Sequence, residues 1–375
     1  MIYHIFNAKI YHHVPRMIEG ILKNASETNK FGVEEHYFLL RDEKKDFSSL
    51  SNNHNSLNLY LKIFQDYKTL NYKFLGNSLS FIKCMFMIES GDRIIIHSTQ
   101  TLFGRNKLFW LLLFIMGNNF RKRCSIILWG VAEKQKISNN LFSGIFNEIK
   151  KIVLKSLRYV VTLSLDDSEK IKEWFNLSNV IISGYIRDTY NEFKVYSKLI
   201  DESHDFKRIM ISHSSFSHNY HIAIFDLLGR FKDENLEIIC PLSYGSIEYR
   251  EIVISRGEQI FGDKFKYYDK LLSRSEYHNL LASIDIYISN ALMQTGLYVI
   301  AFCICTGKKL YLRGNNYNWM THLGFKVNNV KEIGQLSYND FINPVEDDWQ
   351  ASNDLLAREV YSAKPKIEDW KLFYS

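Results

Sequence analysis

The sequence predicts an α/β protein built from two doubly wound, Rossmann-like domains. Three observations carry this. Short apolar, β-rich runs alternate with stretches of helical periodicity along most of the chain, which is the signature of parallel sheets layered with helices. A polar stretch over 187–205 interrupts the alternation and splits it into two series. Finally, 375 residues with 46% apolar and 23% charged side chains are enough for two cores and too apolar for a disordered chain.

In the first series, strands are expected over 2–7, 36–40, 93–97, 125–129, 159–163 and 180–183. Ile145, Ile149, Ile152, Val153 and Leu157 recur at helical spacing and mark one helix face. A short helix over 169–175 is expected to be capped by Asp167 or Ser168. The second series reads strand 208–212, helix 219–231, strand 236–241, a helix from about 247, strand 264–268, helix 275–282, strand 284–289, helix 296–305 and strand 309–312. From 347 the chain is again helical and carries Trp349 and Trp370. The expected divisions are a first domain over 1–190, a second over 191–345, and a tail over 346–375 packing back on the first. Two such domains with a crossing tail suggest the GT-B glycosyltransferase architecture, the domains facing a central cleft. Periodicity alone does not separate it from other two-domain α/β folds.

The charge balance excludes some classes. Lys and Arg exceed Asp and Glu by only six, too little for a dedicated nucleic-acid binder. Five scattered Cys without a CxxC signal neither a disulfide framework nor a zinc site. There is no signal-peptide pattern and no apolar run of the ~20 residues that a membrane span needs, so a cytoplasmic protein is expected. Base clusters beside apolar runs at 108–123 and 145–158. Such segments suit an anionic membrane surface, and equally a core helix with a solvated basic face.

The motifs that can carry chemistry fall at expected strand ends. The segment Ile211-Ser-His-Ser-Ser-Phe-Ser-His-Asn-Tyr-His221 joins a strand to a helix. Ser212, Ser214, Ser215 and Ser217 supply hydroxyls, and the helix start supplies free N–H groups, a combination that suits a diphosphate. It is also an ordinary Ser-rich turn with Ser217 or Asn219 as cap. Gln294-Thr295-Gly296 opens another helix after a strand, and Pro241-Leu-Ser-Tyr244-Gly ends a third strand in the same way. Three polar, small-residue turns on one sheet edge point to a nucleotide-sugar cleft. There is no Asp-x-Asp, HExxH, P-loop or GxGxxG. A leaving diphosphate is therefore expected to rest on helix termini, amides and a cation such as Arg187, Arg250 or Arg313, without a metal. In the first domain, His12-His13, His97, Trp129-Gly130 and Glu133 lie at expected strand ends. There an imidazole or carboxylate can deprotonate a sugar hydroxyl.

On these residues the chain resembles the TDP-N-acetylfucosamine:lipid II N-acetylfucosaminyltransferases of enterobacterial common antigen synthesis, glycosyltransferase family 56. The resemblance is distant and strongest in the second domain. There it rests on Asn219-Tyr-His221, Pro241 with Tyr244, Leu272, Tyr277, Leu280, Leu281 and Asp285, Gln294 with Gly296, and Gly307, Asn316 and Trp319. In the first domain it rests on His12-His13, His97, Trp129-Gly130 and Arg187. Two positions depart from the family pattern: Ala132 replaces an Asp, with Glu133 one step later, and Tyr298 replaces a second Gly.

The resemblance implies a metal-independent GT-B enzyme moving a deoxy-amino sugar from a dTDP-sugar to an undecaprenyl-diphosphate-linked saccharide at the inner face of the bacterial inner membrane. The second domain is then expected to bind the donor through Ser212, His213, Ser214, Ser215, Asn219, His221, Tyr244, Gln294, Thr295 and Gly296. Asn316, Trp319 and Arg187 are expected to support it. The first domain is expected to bind the acceptor beside His12, His97 and Trp129, with His13 or Glu133 as base. Alternatives are a GDP-fucose or UDP-sugar transferase of O-antigen or lipopolysaccharide assembly, and a non-catalytic partner that retains nucleotide-sugar binding.

Overall fold

The computed structural model describes residues 1–7, 14–28, 33–41, 63, 65–67, 69–75, 78–98, 106–128, 141–197 and 205–375. The chain forms two compact units, one of Met1–Arg187 with Lys364–Ser375, the other of Asp188–Ala363. The sequence expectation drew 346–375 as one tail on the first domain. In the structure the helix Asp347–Val360 belongs to the second unit and only the helix Ala363–Tyr374 to the first. The buried Ala357 explains this, since it sits in the second unit's core.

The first unit is a seven-stranded sheet. Its strands are β1 Ile2–Asn7, β2 His36–Arg41, β3 Asn71–Leu75, β4 Arg93–His97, β5 Cys124–Leu128, β6 Tyr159–Thr162 and β7 Val180–Ile182, in the spatial order β3-β2-β1-β4-β5-β6-β7. All pairs are parallel. Such strands are buried on both faces, which is why they read as continuous apolar runs. One face, with Ile5, Leu39, Ile96 and Ile126, packs under the helices Ser78–Met87, Asn106–Ile115, Leu141–Ser156 and Leu165–Phe175. The Ser164 side chain caps the last of these, accepting from the Asp167 N–H. This displaces the expected start at Asp167–Ser168 by one turn and leaves two acids in the first turn, where the helix dipole favours them.

The opposite face of the first sheet is unusual. His36, His4 and His97 stand side by side on β2, β1 and β4 and are completely buried. His4 Nε2 lies 2.9 Å from His36 Nδ1, His4 Nδ1 lies 3.1 Å from His97 Nε2, and His97 Nδ1 lies 3.1 Å from the Tyr185 hydroxyl. Neutral imidazole, one donor and one acceptor per ring, satisfies such a chain. Burial holds His4 and His97 well below the ordinary histidine range, with the neighbouring imidazoles adding to it at His4. Trp370 of the helix Ala363–Tyr374 covers the row.

The second unit is a six-stranded parallel sheet of β8 Lys207–Ile211, β9 Leu236–Pro241, β10 Phe265–Tyr268, β11 Ile286–Ser289, β12 Lys309–Leu312 and β13 Asn328–Asn329, in the order β10-β9-β8-β11-β12-β13. The helices His221–Leu228 and Ile247–Phe261 cover one face; Arg274–Ser283 and Leu297–Thr306 cover the other. From β8 the next strands are added on one side, β9 and β10, and from β11 on the other, so the loops after the parallel neighbours β8 and β11 part there, at the position where open α/β sheets hold ligands. Cys124, Cys240, Cys303 and Cys305 are buried, and burial pushes the Cys303 and Cys305 thiols up to about 12. They are core groups. Among the described residues no helix is long and apolar enough to cross a membrane.

Candidate functional site

The loop after β8 begins with backbone strain. Ser212 sits at φ 58° and Tyr220 at φ 52°, a region that side chains other than glycine seldom occupy. The fully buried Ser212 N–H bonds the Ile288 carbonyl of β11 at 2.9 Å. Ser214 is buried, and its hydroxyl and carbonyl accept from Asn219 Nδ2 at 2.9 and 2.8 Å. Ser215 is held against the loop after β9, its N–H and hydroxyl donating to the Tyr244 carbonyl at 2.8 and 3.0 Å. Gly245, at φ 126°, allows this, since a Cβ there would lie 2.6 Å from the Ser215 carbonyl carbon.

The loop after β11 is tied to the same place. Thr295 Oγ1 lies 3.1 Å from His213 Nε2. Asn316, fully buried in the helix Gly314–His322, bonds the Thr295 N–H and carbonyl and the Ser289 hydroxyl at 3.2, 2.8 and 3.1 Å. Gly296, at φ 67°, starts the helix Leu297–Thr306. A Cβ on it would lie 2.8 Å from His213 Nδ1. Gly296→Ala is therefore expected to push His213 aside. It should abolish ligand binding while costing ~1–2 kcal/mol of stability from the left-handed backbone. Ligand titration beside a urea melt checks both parts.

Several buried polar atoms here have no partner among the described residues. They are Ser212 Oγ, His213 Nδ1, Asn219 Oδ1, both ring nitrogens of His221, and Gln294 Oε1. His221 opens the helix His221–Leu228 and is completely buried, its N–H bonded by the Tyr249 hydroxyl at 3.1 Å. Burial pulls His213 to about 4 and His221 to about 3, with nearby imidazoles adding to it. Both are neutral at pH 7. Positive character therefore comes from the starts of the helices after β8, β11 and β12 and from Arg313. The Arg313 guanidinium donates to Asn290 Oδ1 at 3.2 Å, and Asn290 in turn reaches the Tyr220 carbonyl at 3.5 Å. Unsatisfied buried polar groups are costly, and such atoms grouped at strand ends suit a polar, anionic ligand.

The structure thus brings Ser212, His213, Ser214, Ser215, Asn219, His221, Tyr244, Gln294, Thr295, Gly296 and Asn316 to the carboxyl ends of neighbouring strands. It does not bring Trp319 there. That ring stacks on His322 and packs on the second unit's core. Tyr298 likewise turns inward, with its hydroxyl on His278 and its ring against Phe193. Arg187 ends the first of the two segments that make up the first unit. His97 does end β4, but it is not an open strand-end group. Both its nitrogens face His4 and Tyr185 inside the sheet face, because its register pairs it with Phe6 on the inward side. His12, His13, Trp129 and Glu133 lie outside the described residues. Sequence reasoning missed Asn290 and Tyr249. The signal for Asn290 was present, a polar residue directly after an apolar strand.

No protein-family model and no curated protein sequence matches the chain. Solved structures do. A glycosyltransferase from Rickettsia africae superposes with TM-score 0.63 at 12% identity, over 99% of this chain and 97% of that one. Anabaena Alr3699/HepE in complex with UDP and glucose gives 0.63 at 11%, over 99% and 98%. A sucrose-phosphate synthase from Thermosynechococcus elongatus gives 0.64 at 9%, over 100% and 98%. At such identities the likeness shows the fold: two Rossmann-like units in the GT-B arrangement of chain order.

Proposed function

We propose that the protein is a glycosyltransferase that uses a nucleotide sugar, held at the carboxyl ends of β8 and β11 in the second unit. The observation that carries this is the set of unpartnered buried atoms on Ser212, His213, Asn219, His221 and Gln294, grouped where two helices start. A nucleoside diphosphate supplies acceptors and donors for that set. The leaving diphosphate rests on the helix starts and Arg313, and no metal ligand is called on. Neutral His213 and His221 donate hydrogen bonds to phosphate or sugar rather than a full charge.

The finer reading follows the family 56 resemblance: a dTDP-linked deoxy-amino sugar, a polyprenyl-diphosphate-linked saccharide acceptor at the inner membrane, and His13 or Glu133 as the base. A second reading, a UDP-sugar donor, is favoured by the UDP held in the Anabaena structure of the same fold.

Thermal-shift measurements with dTDP, UDP and GDP test the proposal. A ligand at a hundred times its Kd adds ~2.7 kcal/mol, a clear rise in midpoint. Stabilisation by dTDP supports the finer reading, and stabilisation by UDP alone supports the second. No response to any of the three overturns nucleotide binding. Gln294→Ala is expected to weaken the responding nucleotide about ten-fold through its lost hydrogen bond. Unchanged affinity and turnover would remove Gln294 from the site.

A further inference from the structure

Three adjacent strands of the first unit begin with arginine. Arg93 starts β4, Arg123 immediately precedes β5 and Arg158 immediately precedes β6. The register places them side by side: the Ile94 N–H bonds the Arg123 carbonyl at 3.1 Å and the Arg158 N–H bonds the Cys124 carbonyl at 2.8 Å. Like charges on neighbouring strands repel. Burial, and then the Arg158 and Arg123 charges, hold the Arg93 guanidinium below its ordinary value.

None of the three pairs with a side-chain carboxylate among the described residues. Arg93 and Arg158 reach the Ser375 main-chain oxygen and hydroxyl, at 2.8 and 3.5 Å. Arg123 donates to the Glu89 and Asp92 carbonyls. Lys122 and Lys155 stand exposed at the same edge. Glu89 and Asp92 precede β4, and the Met1 amino group takes up Asp92 at 2.7 Å. A row of cations that repel one another, with Lys122 and Lys155 exposed beside it, suits several phosphates at once.

The helices that run down to this edge end in exposed apolar side chains. Phe86 and Met87 close the helix Ser78–Met87 and are 62% and 76% exposed; Ile115 closes Asn106–Ile115 and is 64% exposed. Ile152, near the end of Leu141–Ser156, also faces out. These groups come from neighbouring helices of one layer and flank the arginine row by chain continuity. Large apolar side chains beside a row of bases match the headgroup layer of an anionic bilayer, where the rings and aliphatic chains enter the acyl boundary and the guanidiniums meet phosphate.

We propose that the amino edge of the first unit's sheet is a docking surface for an anionic lipid bilayer, with Arg93, Arg123 and Arg158 on lipid phosphates and Met87 and Ile115 inserted beside them. This rests on the first unit alone and holds whatever the second unit binds.

Flotation of the full chain with vesicles tests it, using 30% phosphatidylglycerol in phosphatidylcholine against pure phosphatidylcholine. Binding is expected only to the anionic vesicles and should weaken with salt. The combined Arg93→Gln, Arg123→Gln and Arg158→Gln variant is expected to lose about 100-fold in vesicle affinity. Met87→Ser with Ile115→Ser changes only exposed positions, so it stays folded and carries the test if the arginine variant does not. It should lose about ten-fold or more. The proposal is overturned if the parent chain ignores anionic vesicles, or if the folded serine variant floats as the parent does. It is equally overturned if the patch proves to join two copies, seen as a dimer by gel filtration that the serine variant dissociates while the dimer ignores vesicles. Failure here leaves the thermal-shift outcome with nucleotides untouched, so the two ideas fail separately.

Discussion

Trp370→Ala is expected to destabilise the first unit by about 3–5 kcal/mol, the cost of emptying a large buried aromatic site. The indole is completely buried. It faces His4, His97 and Tyr185 at 6.3, 6.0 and 5.8 Å between ring centres, and its Nε1 donates to the Gly184 carbonyl at 2.9 Å. The truncation removes that bond and leaves a void over a row of imidazoles that depends on being dry and mutually paired. Water entering the void competes for their hydrogen bonds, so the loss should sit at the upper end of the range. Trp370→Phe keeps most of the volume and forfeits chiefly the hydrogen bond, for about 1–1.5 kcal/mol. Urea unfolding followed by far-UV circular dichroism measures both. An alanine variant within ~1 kcal/mol of the parent would show that the helix Ala363–Tyr374 is a loose appendage rather than a cover.

Mild acid is expected to destabilise both units, by about 3 kcal/mol each between pH 7.5 and 5.5. His4 and His97 in the first unit and His213 and His221 in the second all have folded-state pKa values depressed by burial, those of His213 and His221 to about 4 and 3. Unfolded, each titrates near 6.5. The sign follows: below pH 6.5 the unfolded chain takes up protons that the folded chain refuses. Stability is therefore flat above about pH 7.5 and falls as pH drops, by ~1.4 kcal/mol per pH unit per histidine. The fall continues for His213 and His221 until their folded values are reached. Staying above pH 5 keeps carboxylate titration out of the window. Urea midpoints at pH 7.5, 6.5 and 5.5 provide the check, and a midpoint independent of pH over that range would contradict buried neutral imidazoles.

Much of the fold is legible in the sequence because a parallel strand covered on both faces is a plain apolar run. β1, β4, β9 and β12 fall on the expected residues. β3 escapes because it is an edge strand, Asn-Tyr-Lys-Phe-Leu, with Tyr72 exposed and only short apolar content. β13 is two asparagines and carries no apolar signal at all. The stripe over 145–157 is half misread. Ile145 and Ile152 lie outside, whereas Lys150 is buried with its ammonium over the Trp110 and Phe175 rings. A lysine satisfied by aromatic faces looks like a solvated residue to any periodicity argument.

The candidate site is legible where it is local, in the Ser212–His221 loop and the Gln294–Gly296 turn. It is illegible where register decides. Nothing in the spacing of His4, His36 and His97 says that the pleat sets all three on one inward face, so His97 looks like a strand-end group. Trp319 is read with Asn316 only through the family resemblance. In the structure its ring stacks on His322 of the same helix and packs on the core, whereas Asn316 turns to Thr295 and Ser289.

The first unit is made from two pieces of sequence with the whole second unit between them. On a ribosome this order has a price in time. The sheet face bearing the three histidines emerges early, but the helix that covers it has to wait for the whole second unit, roughly 175 residues. At 5–20 residues per second that is a delay of roughly 10–35 s. For that interval an apolar, imidazole-studded surface is open to water and to other nascent chains. Yield in a foreign host should therefore depend on translation speed through the second unit and on the supply of chaperones that shield exposed sheet faces, more than on the stability of the finished fold.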